Sequence, residues 1–455
     1  MRALGARLAA TRTGTVAVAV AGRGAGASAG TVFLVALLAA SPARGNALDT
    51  FGFGPRSEAM AGAQTADASG WAAAFHNPAA VARTDDVEAA IGYSGAVTHL
   101  NIDGTDAGIT TPRGTSLGLA VPIPLGHGVK LAFGVAAYIP DQFIVRVQLI
   151  PIAEPHFVLL DNNLQHIVVQ PVLALRILRW LSVGGGVTLL ADAAGNGITF
   201  DVGAVGGQKV GQAALDVSLP IRAAPVVGVL VEPTPHLRLG ATWRGEIDLK
   251  LKLDILSNVN VAGLVTGDVL ISLRALDFYT PMRTTVGAAW DALPSLTLTA
   301  DLDWIRWSAF SGGAPDLAVL VHLAIAPSLV HAAIAEPSFH DVWAPRVGAE
   351  WRRALGSHVE LAVRGGYAFE RSPVPDQVGL TSFADNDRHV IALGGGVALS
   401  NITSLMAKPL RFDVALQWQE LVPRTTVKDP SFAPGAGFTS GGRLVNFAAM
   451  MEARF

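Results

Sequence analysis

The chain has 455 residues, of which 51% are hydrophobic and 15% charged, with a formal net charge of −3. Soluble domains carry roughly 25% charged residues, so the apolar surplus belongs in lipid, and the near-neutral balance points to neither nucleic acid nor an anionic membrane surface as a partner. Cysteine is absent, which excludes disulfides, thiolate metal sites and cysteine nucleophiles and is compatible with an oxidising compartment.

In chain order, Arg2, Arg7, Arg12 and Arg23 precede an apolar core from Thr31 to Ala40 and then the small-residue stretch Ser41 to Ala47. This is a signal-peptide pattern, with cleavage expected after Ala43 or Ala47, and a core of about ten residues is too short to anchor by spanning. The stretch ahead of the core is longer than such peptides usually carry, so the true start is expected downstream of Met1. Residues 1–47 are excluded from the fold.

Residues 48–86 read as a plug. Between Phe51 and Arg83, the small residues Gly52, Gly54, Ala59, Ala61, Gly62 and Ala63 allow close backbone packing, while Pro55 and Pro78 interrupt any long helix or strand. Asn77-Pro78-Ala79 suits a compact turn with its own internal hydrogen bonds. An ordinary loop is the default reading of that triplet alone.

From Val87 to Phe455 the sequence alternates in polarity over segments of the ~10 residues that a tilted membrane strand needs. From His236 to Asp254, Leu237, Leu239, Ala241 and Trp243 share one face with Ile247, Leu249, Leu251 and Leu253, opposite Arg238, Thr242, Arg244, Glu246, Asp248, Lys250 and Lys252. The pattern returns at Leu296 to Trp304, Val347 to Arg352, His358 to Glu370 and Arg411 to Gln419. Fourteen strands are predicted, beginning near Val87, Thr115, Val129, Gln165, Leu181, Ala214, His236, Val269, Leu296, Arg346, His358, Arg388, Pro409 and Gly442. Tight links (after Val121, Val231, Trp290 and Arg352) take turns with long ones (Ile139 to Leu164, Ser308 to Val342, Ser372 to Asp387, Leu421 to Gly441). The expectation is an all-β, fourteen-stranded antiparallel transmembrane β-barrel over 87–455 with the plug inside its lumen. Phe455, ending an alternating strand, looks like a barrel-assembly signal read by the assembly machinery of the bacterial outer membrane.

Some twenty mostly apolar residues from Pro315 to Glu336 fall in a predicted external loop. A spanning helix is conceivable on length, but Pro327, His322 and His331 interrupt it. Short helices with a greasy face for catching substrate are expected instead, packed against Ile144 to Leu160. The glycine triplets Gly184–Gly186 and Gly394–Gly396 lie in strands and are read as bends or close packing of the plug. The eleven histidines have no metal-site spacing, and neither metal nor cofactor is expected. Two rival classes are an outer-membrane lipase, for which Ser357 and His358 lack a recognisable partner, and an open aqueous porin, against which the plug argues.

The sequence Phe51-Gly52-Phe53-Gly54-Pro55-Arg56, followed by Met60-Ala61-Gly62-Ala63, Ala66-Asp67-Ala68 and Asn77-Pro78-Ala79, resembles the long-chain fatty acid outer-membrane transporter family (FadL/TodX, OMPP1). Leu239 to Arg244, Leu302-Asp303-Trp304, Trp307-Ser308, Arg371 to Asp376 and Asp385 to Arg388 resemble strand and loop motifs of the same family. One departure is a single acid, Asp67, where the family's hatch carries a pair. The resemblance implies a non-enzymatic, monomeric channel for passive uptake of hydrophobic small molecules: long-chain fatty acids, or alternatively aromatic or aliphatic hydrocarbons. It also implies contact with outer-membrane lipid and lipopolysaccharide, and sideways exit through a bend in the wall. Candidate substrate contacts are Phe51, Phe53, Trp71 and Phe75, with Asn77, Pro78 and Ala79 as the moving or anchoring turn. Arg244 and Lys250 are the candidate cations for a carboxylate head, and pairing with Glu246 or Asp248 is their alternative use.

Overall fold

The computed structural model describes residues 47–109, 111–126, 129–141, 154–160, 166–191, 198–201, 204–205, 208–209, 212–215, 221–261, 265–310, 316–323, 327–332, 338–379, 381–401, 408–430 and 437–455. The side chains of 191–215, 249–278 and 316–332 and the signal-like segment lie outside that description. Fourteen strands form the wall: β1 (Glu88–Ile102), β2 (Arg113–Gly126), β3 (Val129–Pro140), β4 (Ile167–Leu178), β5 (Leu181–Ala191), β6 (Arg222–Thr234), β7 (Leu237–Arg244), β8 (Arg283–Leu293), β9 (Leu296–Ile305), β10 (Val342–Leu355), β11 (Val359–Glu370), β12 (Arg388–Leu399), β13 (Leu410–Thr426) and β14 (Phe438–Arg454). Each pairs antiparallel with its neighbours in sequence. The sheet closes because β14 also pairs with β1, from Glu88 opposite Arg454 to Ile102 opposite Ser440. Closure leaves no open edge, so every wall strand has a partner on both sides.

Strand β13 illustrates why the sequence makes a wall. Phe412, Val414, Leu416 and Trp418 point outward and are exposed, while Asp413, Ala415, Gln417 and Gln419 point inward and are buried. Period-two alternation puts the two sets on opposite faces; here the exposed face is the greasy one, the reverse of a soluble sheet. The outward band has aromatic borders. In register, Trp243 faces Thr284, Thr284 faces Trp304 and Trp304 faces Trp343, giving a belt across β7 to β10 at one level. Trp180, Trp290 and Trp351 are exposed near the other strand ends. Eight residues of β10 separate Trp343 from Trp351, roughly 26 Å along the strand. With a tilt of about 40° that is ~20 Å along the axis, close to the ~25 Å apolar band of outer-membrane barrels.

Short turns, such as Leu178 to Leu181 and Leu293 to Leu296, lie at one end of the barrel, with Glu88 and Arg454. Longer excursions lie at the other. There Val158, Leu159, Tyr279, Ile305, Trp307, Phe310, Phe339, Val342, Val374 and Phe383 form a separate hydrophobic cluster, and His156–Phe157 pairs in parallel with Phe383–Ala384.

Three expectations are corrected. The strand read through His236 to Asp254 ends at Arg244. Gly245 turns the chain, its N–H donating to Pro225 O at 2.9 Å, and Ile247–Val261 pairs with Val265–Thr280 outside the wall. Alternation marks any two-faced strand and does not say whether that strand is part of the barrel. For the same reason the strands expected near Val269 and Ala214 belong to excursions, the second to a hairpin of Ile198–Asp201 with Gln212–Leu215, while the wall strands begin at Arg283 and Arg222. The Pro315–Glu336 stretch forms strands Asp316–Leu323 and Pro327–Ala332 instead of helices, the first paired to Val265–Thr280. An apolar run beside an existing strand edge extends that sheet, its backbone groups pairing with Val265–Thr280.

Candidate functional site

The plug segment folds as short pieces inside the lumen: α1 (Ala47–Phe51), α2 (Pro55–Ala59), α3 (Gly70–His76) and a 3₁₀ turn, Pro78–Arg83. Pro55 opens α2 and Pro78 opens the 3₁₀ turn, where a missing N–H costs nothing. Asn77 joins α3 to that turn in an extended conformation, and its Oδ1 accepts from Ala79 N at 3.1 Å. Its Nδ2 donates to Thr65 O at 2.8 Å and to Val229 O of β6 at 3.1 Å. Asn77 thus ties two parts of the plug to each other and to the wall.

Wall glycines receive this segment. A Cβ on Gly184 would lie 2.4 Å from the Pro78 carbonyl carbon, one on Gly228 2.1 Å from Asn77 Oδ1, and one on Gly394 2.5 Å from the Ala59 Cβ. Real Cβ atoms do not approach so closely, so plug and wall fit only because these side chains are absent. Gly184 and Gly394 open the two sequence triplets, and their reading as close packing holds at both.

Polar side chains complete the fit. Arg56 of α2 pairs with Asp67 and with Glu350 of β10 at 2.9 Å. Glu350 is shared with Arg364 of β11 at 2.5 Å, which reaches Asp413 of β13 at 2.5 Å. Asp67 also receives Arg238 of β7 at 2.8 Å. Arg346 of β10 donates to Ala61 O at 3.1 Å and pairs with Asp303 at 2.9 Å and with Glu370. Trp71 Nε1 donates to Glu452 at 3.0 Å. Burial pushes the Glu58 carboxyl up to about 8, against the pull of Asn446, so it is neutral at pH 7. Burial likewise lowers His76 to about 3, leaving a neutral imidazole. Buried charges persist only when paired or neutralised, and the chain does both.

Two cavities lie between the plug and the long-loop end. The upper one is lined by Leu159, Trp307, Arg283, Arg371 and Arg388, among others. The lower one is lined by Leu48, Phe75, His76, Arg244, Arg283 and Arg346 with Asp49, Asp301 and Asp303. Asp49 and Arg283 line both. A third lies on the short-turn side beside Phe53, Trp71, Glu88 and Arg454. The plug separates the first two from the third.

Of the residues singled out from sequence, Phe53, Trp71 and Phe75 form one aromatic cluster, with ring centroids 5.4 Å apart for Phe53 with each partner. Phe51 is buried but lines none of these cavities. Arg244 stacks over Phe75 at 4.4 Å and donates to Phe75 O at 2.7 Å. Its ion-pair partner is Asp49 at 3.1 Å, not Glu246 or Asp248, because Gly245 carries the following strand away from the lumen. Lys250 is likewise displaced: its backbone pairs with Leu276 in the outer sheet, and its side chain is outside the described residues. Missed were Asp49, which abuts the signal-like segment, and Arg283, which opens a wall strand the alternation placed too early. Arg56 was visible as the end of the aromatic-Gly-x-Gly-x-Arg motif, but nothing local reveals its partner Glu350, 294 residues away.

A serine with hydrolase-elbow spacing occurs in Gly114-Thr115-Ser116-Leu117-Gly118. It lies near the start of β2, at the fourth residue of Arg113–Gly126 and already in the ladder, with Ser116 paired to Gly92 and Tyr138 and buried. An elbow needs a sharp strand-to-helix turn, which is absent there.

A sequence profile of the outer membrane protein transport family (OMPP1/FadL/TodX) matches residues 34–415. Alkane uptake protein A of Marinobacter nauticus is 30% identical over 118 residues, spanning 26% of this chain and only 25% of that protein. Among solved structures, a Pseudomonas aeruginosa FadL homologue has a TM-score of 0.56 at 17% identity, covering 89% of this chain and 98% of that one. The Pseudomonas putida toluene transporter TodX has 0.50 at 14%, covering 89% and 99%. At such identities the structural likeness establishes the fold. The profile, the barrel and its plug together place this chain in the OMPP1/FadL/TodX family, as an outer-membrane transporter of hydrophobic compounds in the bacterial outer membrane.

Proposed function

We propose that the protein is a passive channel that takes up amphiphiles with an apolar tail and an anionic head, long-chain fatty acids being the class that fits best. The observation that carries this reading is the sequence of surfaces met on the way in. An apolar cluster around Trp307, Phe310 and Phe339 crowns the barrel, and beneath it the two cavities are lined by Arg371 and Arg388, then Arg283, then Arg244 and Arg346. A tail gains from the first and a carboxylate from the second, whereas a bare hydrocarbon makes no use of guanidinium groups that already pair with Asp49, Asp303 and Glu370. Pockets of this kind use a few polar groups to orient an otherwise apolar ligand.

In this reading residues 48–86 act as the hatch and the wall begins near Val87. Phe75 and Arg244 contact the substrate, Asn77-Pro78-Ala79 anchors the hatch, and Phe53 and Trp71 belong to the exit side. The protein works as a monomer without an enzymatic step or cofactor, surrounded by outer-membrane lipid and lipopolysaccharide, and reaches the membrane through assembly machinery that reads Phe455. A hydrocarbon substrate is the second reading, favoured by the short match to an alkane uptake protein.

Mass spectrometry of compounds copurifying with the folded barrel separates the two: fatty acids support the first reading and alkanes or arenes the second. In liposomes, glucose-sized solutes should cross no faster than through protein-free membranes. Porin-like uptake of them would refute a plugged channel.

A further inference from the structure

The plug meets the wall strands in their own order. Followed backwards along the chain, Pro78 lies against Gly184 of β5, Asn77 Nδ2 donates to Val229 O of β6, and Thr65 N donates to Asp301 of β9. Met60 then fits against Gly366 of β11, Ala59 against Gly394 of β12, and Glu58 accepts from Asn446 of β14. Each step back along the plug is a step forward around the barrel. Trp71 stands outside this series and sits at the seam where β14 meets β1.

There Trp71 N donates to Glu88 Oε2 of β1 at 3.3 Å, and its Nε1 donates to Glu452 Oε2 of β14 at 3.0 Å. A Cβ on Gly118 of β2 would lie 2.4 Å from the Trp71 ring. Gly118 faces Ala90 and Ala90 faces Glu452 in register, so one indole bridges β2, β1 and β14 over a slot kept open by two small residues. Glu88 lies opposite Arg454, which makes Glu88 and Glu452 diagonal neighbours across the seam. Like charges brought together on one face of a strand pair oppose the pairing. Arg454 offsets this, at 3.4 Å from Glu88 and 3.0 Å from Glu452, and Trp71 supplies one N–H to each acid.

We propose that the plug is an internal template for assembling the barrel, with Trp71 as the latch that joins the last strand to the first. This function is separate from transport and holds whatever the substrate. Pairing β14 with β1 joins the wall strands farthest apart in sequence, the kind of contact that costs most loop entropy and forms slowest. Trp71 is 17 residues from Glu88 and 381 from Glu452. Its bond to β1 is therefore local, and once made it holds a donor in place for β14. Because the plug follows the order of the strands, each arriving strand docks beside the one before it, and the plug reaches Glu58 as the wall reaches β14.

The test follows the full-length protein as it folds from urea into dilauroyl phosphatidylcholine vesicles, read as the band that stays compact in SDS without heating. Trp71→Phe keeps a ring and loses the indole N–H. It is expected to slow folding about tenfold, which at ~1.4 kcal/mol per factor of ten matches a hydrogen bond to a charged group, and to change unfolding in urea less than threefold. That partition marks a contact made before the rate-limiting step. In a Glu452→Gln background, where the two acids no longer repel, Trp71→Phe should slow folding threefold at most. Trp71→Phe that folds at the unmodified rate and only unfolds faster, or that slows folding equally in both backgrounds, would overturn the latch. Should Trp71→Phe not fold at all, adding Glu452→Gln is expected to restore folding, and failure to do so counts against the proposal.

Discussion

Replacing Asn77 by alanine tests whether the plug is held by this side chain. Asn77 is fully buried and makes three hydrogen bonds, to Thr65 O, Val229 O and Ala79 N. Each contributes about 0.5–1.5 kcal/mol net, and more where a buried group is left without a partner, so the loss should be about 3 kcal/mol. A change of that size, at ~1.4 kcal/mol per factor of ten, raises the rate of local opening roughly a hundredfold. Amide hydrogen exchange over Gly70 to Arg83 reads this directly, since local opening free energies set protection in plug and loop segments. The wall offers the reciprocal perturbation. A Cβ on Gly228 would lie 2.1 Å from Asn77 Oδ1 and 3.1 Å from Pro78 Cδ, so Gly228→Ala should loosen the same segment by overpacking, at about 1–3 kcal/mol. Because Asn77→Ala removes the atom that the new methyl strikes, the double variant should be less damaged than the sum of the two, a coupling that contacting residues show and distant ones do not. Exchange rates within threefold of the unmodified protein for Asn77→Ala, or strictly additive effects in the double variant, would refute the reasoning.

Val347 points outward between the levels of Trp343 and Trp351, so Val347→Arg should reduce barrel stability by about 2–4 kcal/mol in lipid vesicles, read as a lower urea midpoint. Arg364 is buried between Glu350 and Asp413. Arg364→Met would strand Asp413, Glu350 keeping Arg56, and should destabilise by about 3–5 kcal/mol, whereas an unshifted urea midpoint would mean that Asp413 finds another partner. Burial raises the carboxyl of Asp385, in the connection between β11 and β12, from 3.8 to about 6. The folded connection therefore holds a proton that the unfolded chain releases between those values. Its stability is greatest below about pH 4 and declines as pH rises through about 6. Protection of residues 371–387 from exchange, relative to Asp385→Asn, should fall over that window, and an identical pH profile in the variant would rule out Asp385 as the cause.

The wall was legible because a membrane strand declares itself in one dimension. Phe412 to Gln419 and Leu296 to Trp304 alternate strictly, and the register follows from alternation and turn length. What alternation does not encode is membership. Ile247 to Lys252 alternates as cleanly as Leu237 to Trp243, yet one is in an outer sheet and the other in the barrel, and the difference depends on the turn at Gly245 and on which strand is available as neighbour. The plug was legible from its small residues and prolines, as was its proximity to the glycine triplets. Its partners were not, because Arg56 with Glu350, Trp71 with Glu452 and Asn446 with Glu58 join positions that only barrel closure brings together. Phe75 and Arg244 were identified as a contact and a cation from residue type alone. That they touch each other follows only from three dimensions.

The way the plug is held bears on how it can work. An apolar interface of this extent would be fixed by buried area, and loosening any part would expose greasy surface to the lumen. Here the small residues and missing wall side chains give close fit, while hydrogen bonds and ion pairs from Asn77, Arg56, Asp67 and Asp49 supply most of the specific attachment. Side-chain contacts of this kind can be taken over by another polar group or ion of matching charge, whereas the backbone ladder of the wall, facing lipid, has no such substitute. Rigidity is thus assigned to the wall and replaceability to the plug. The gradient within the plug runs the same way. Asp49 pairs with Arg244, and backbone contacts hold Thr50 and Phe51, while the middle of the plug is held by the linked ion pairs of Arg56, Asp67, Arg238 and Glu350. A molecule arriving from the long-loop end meets first the piece that carries Asp49.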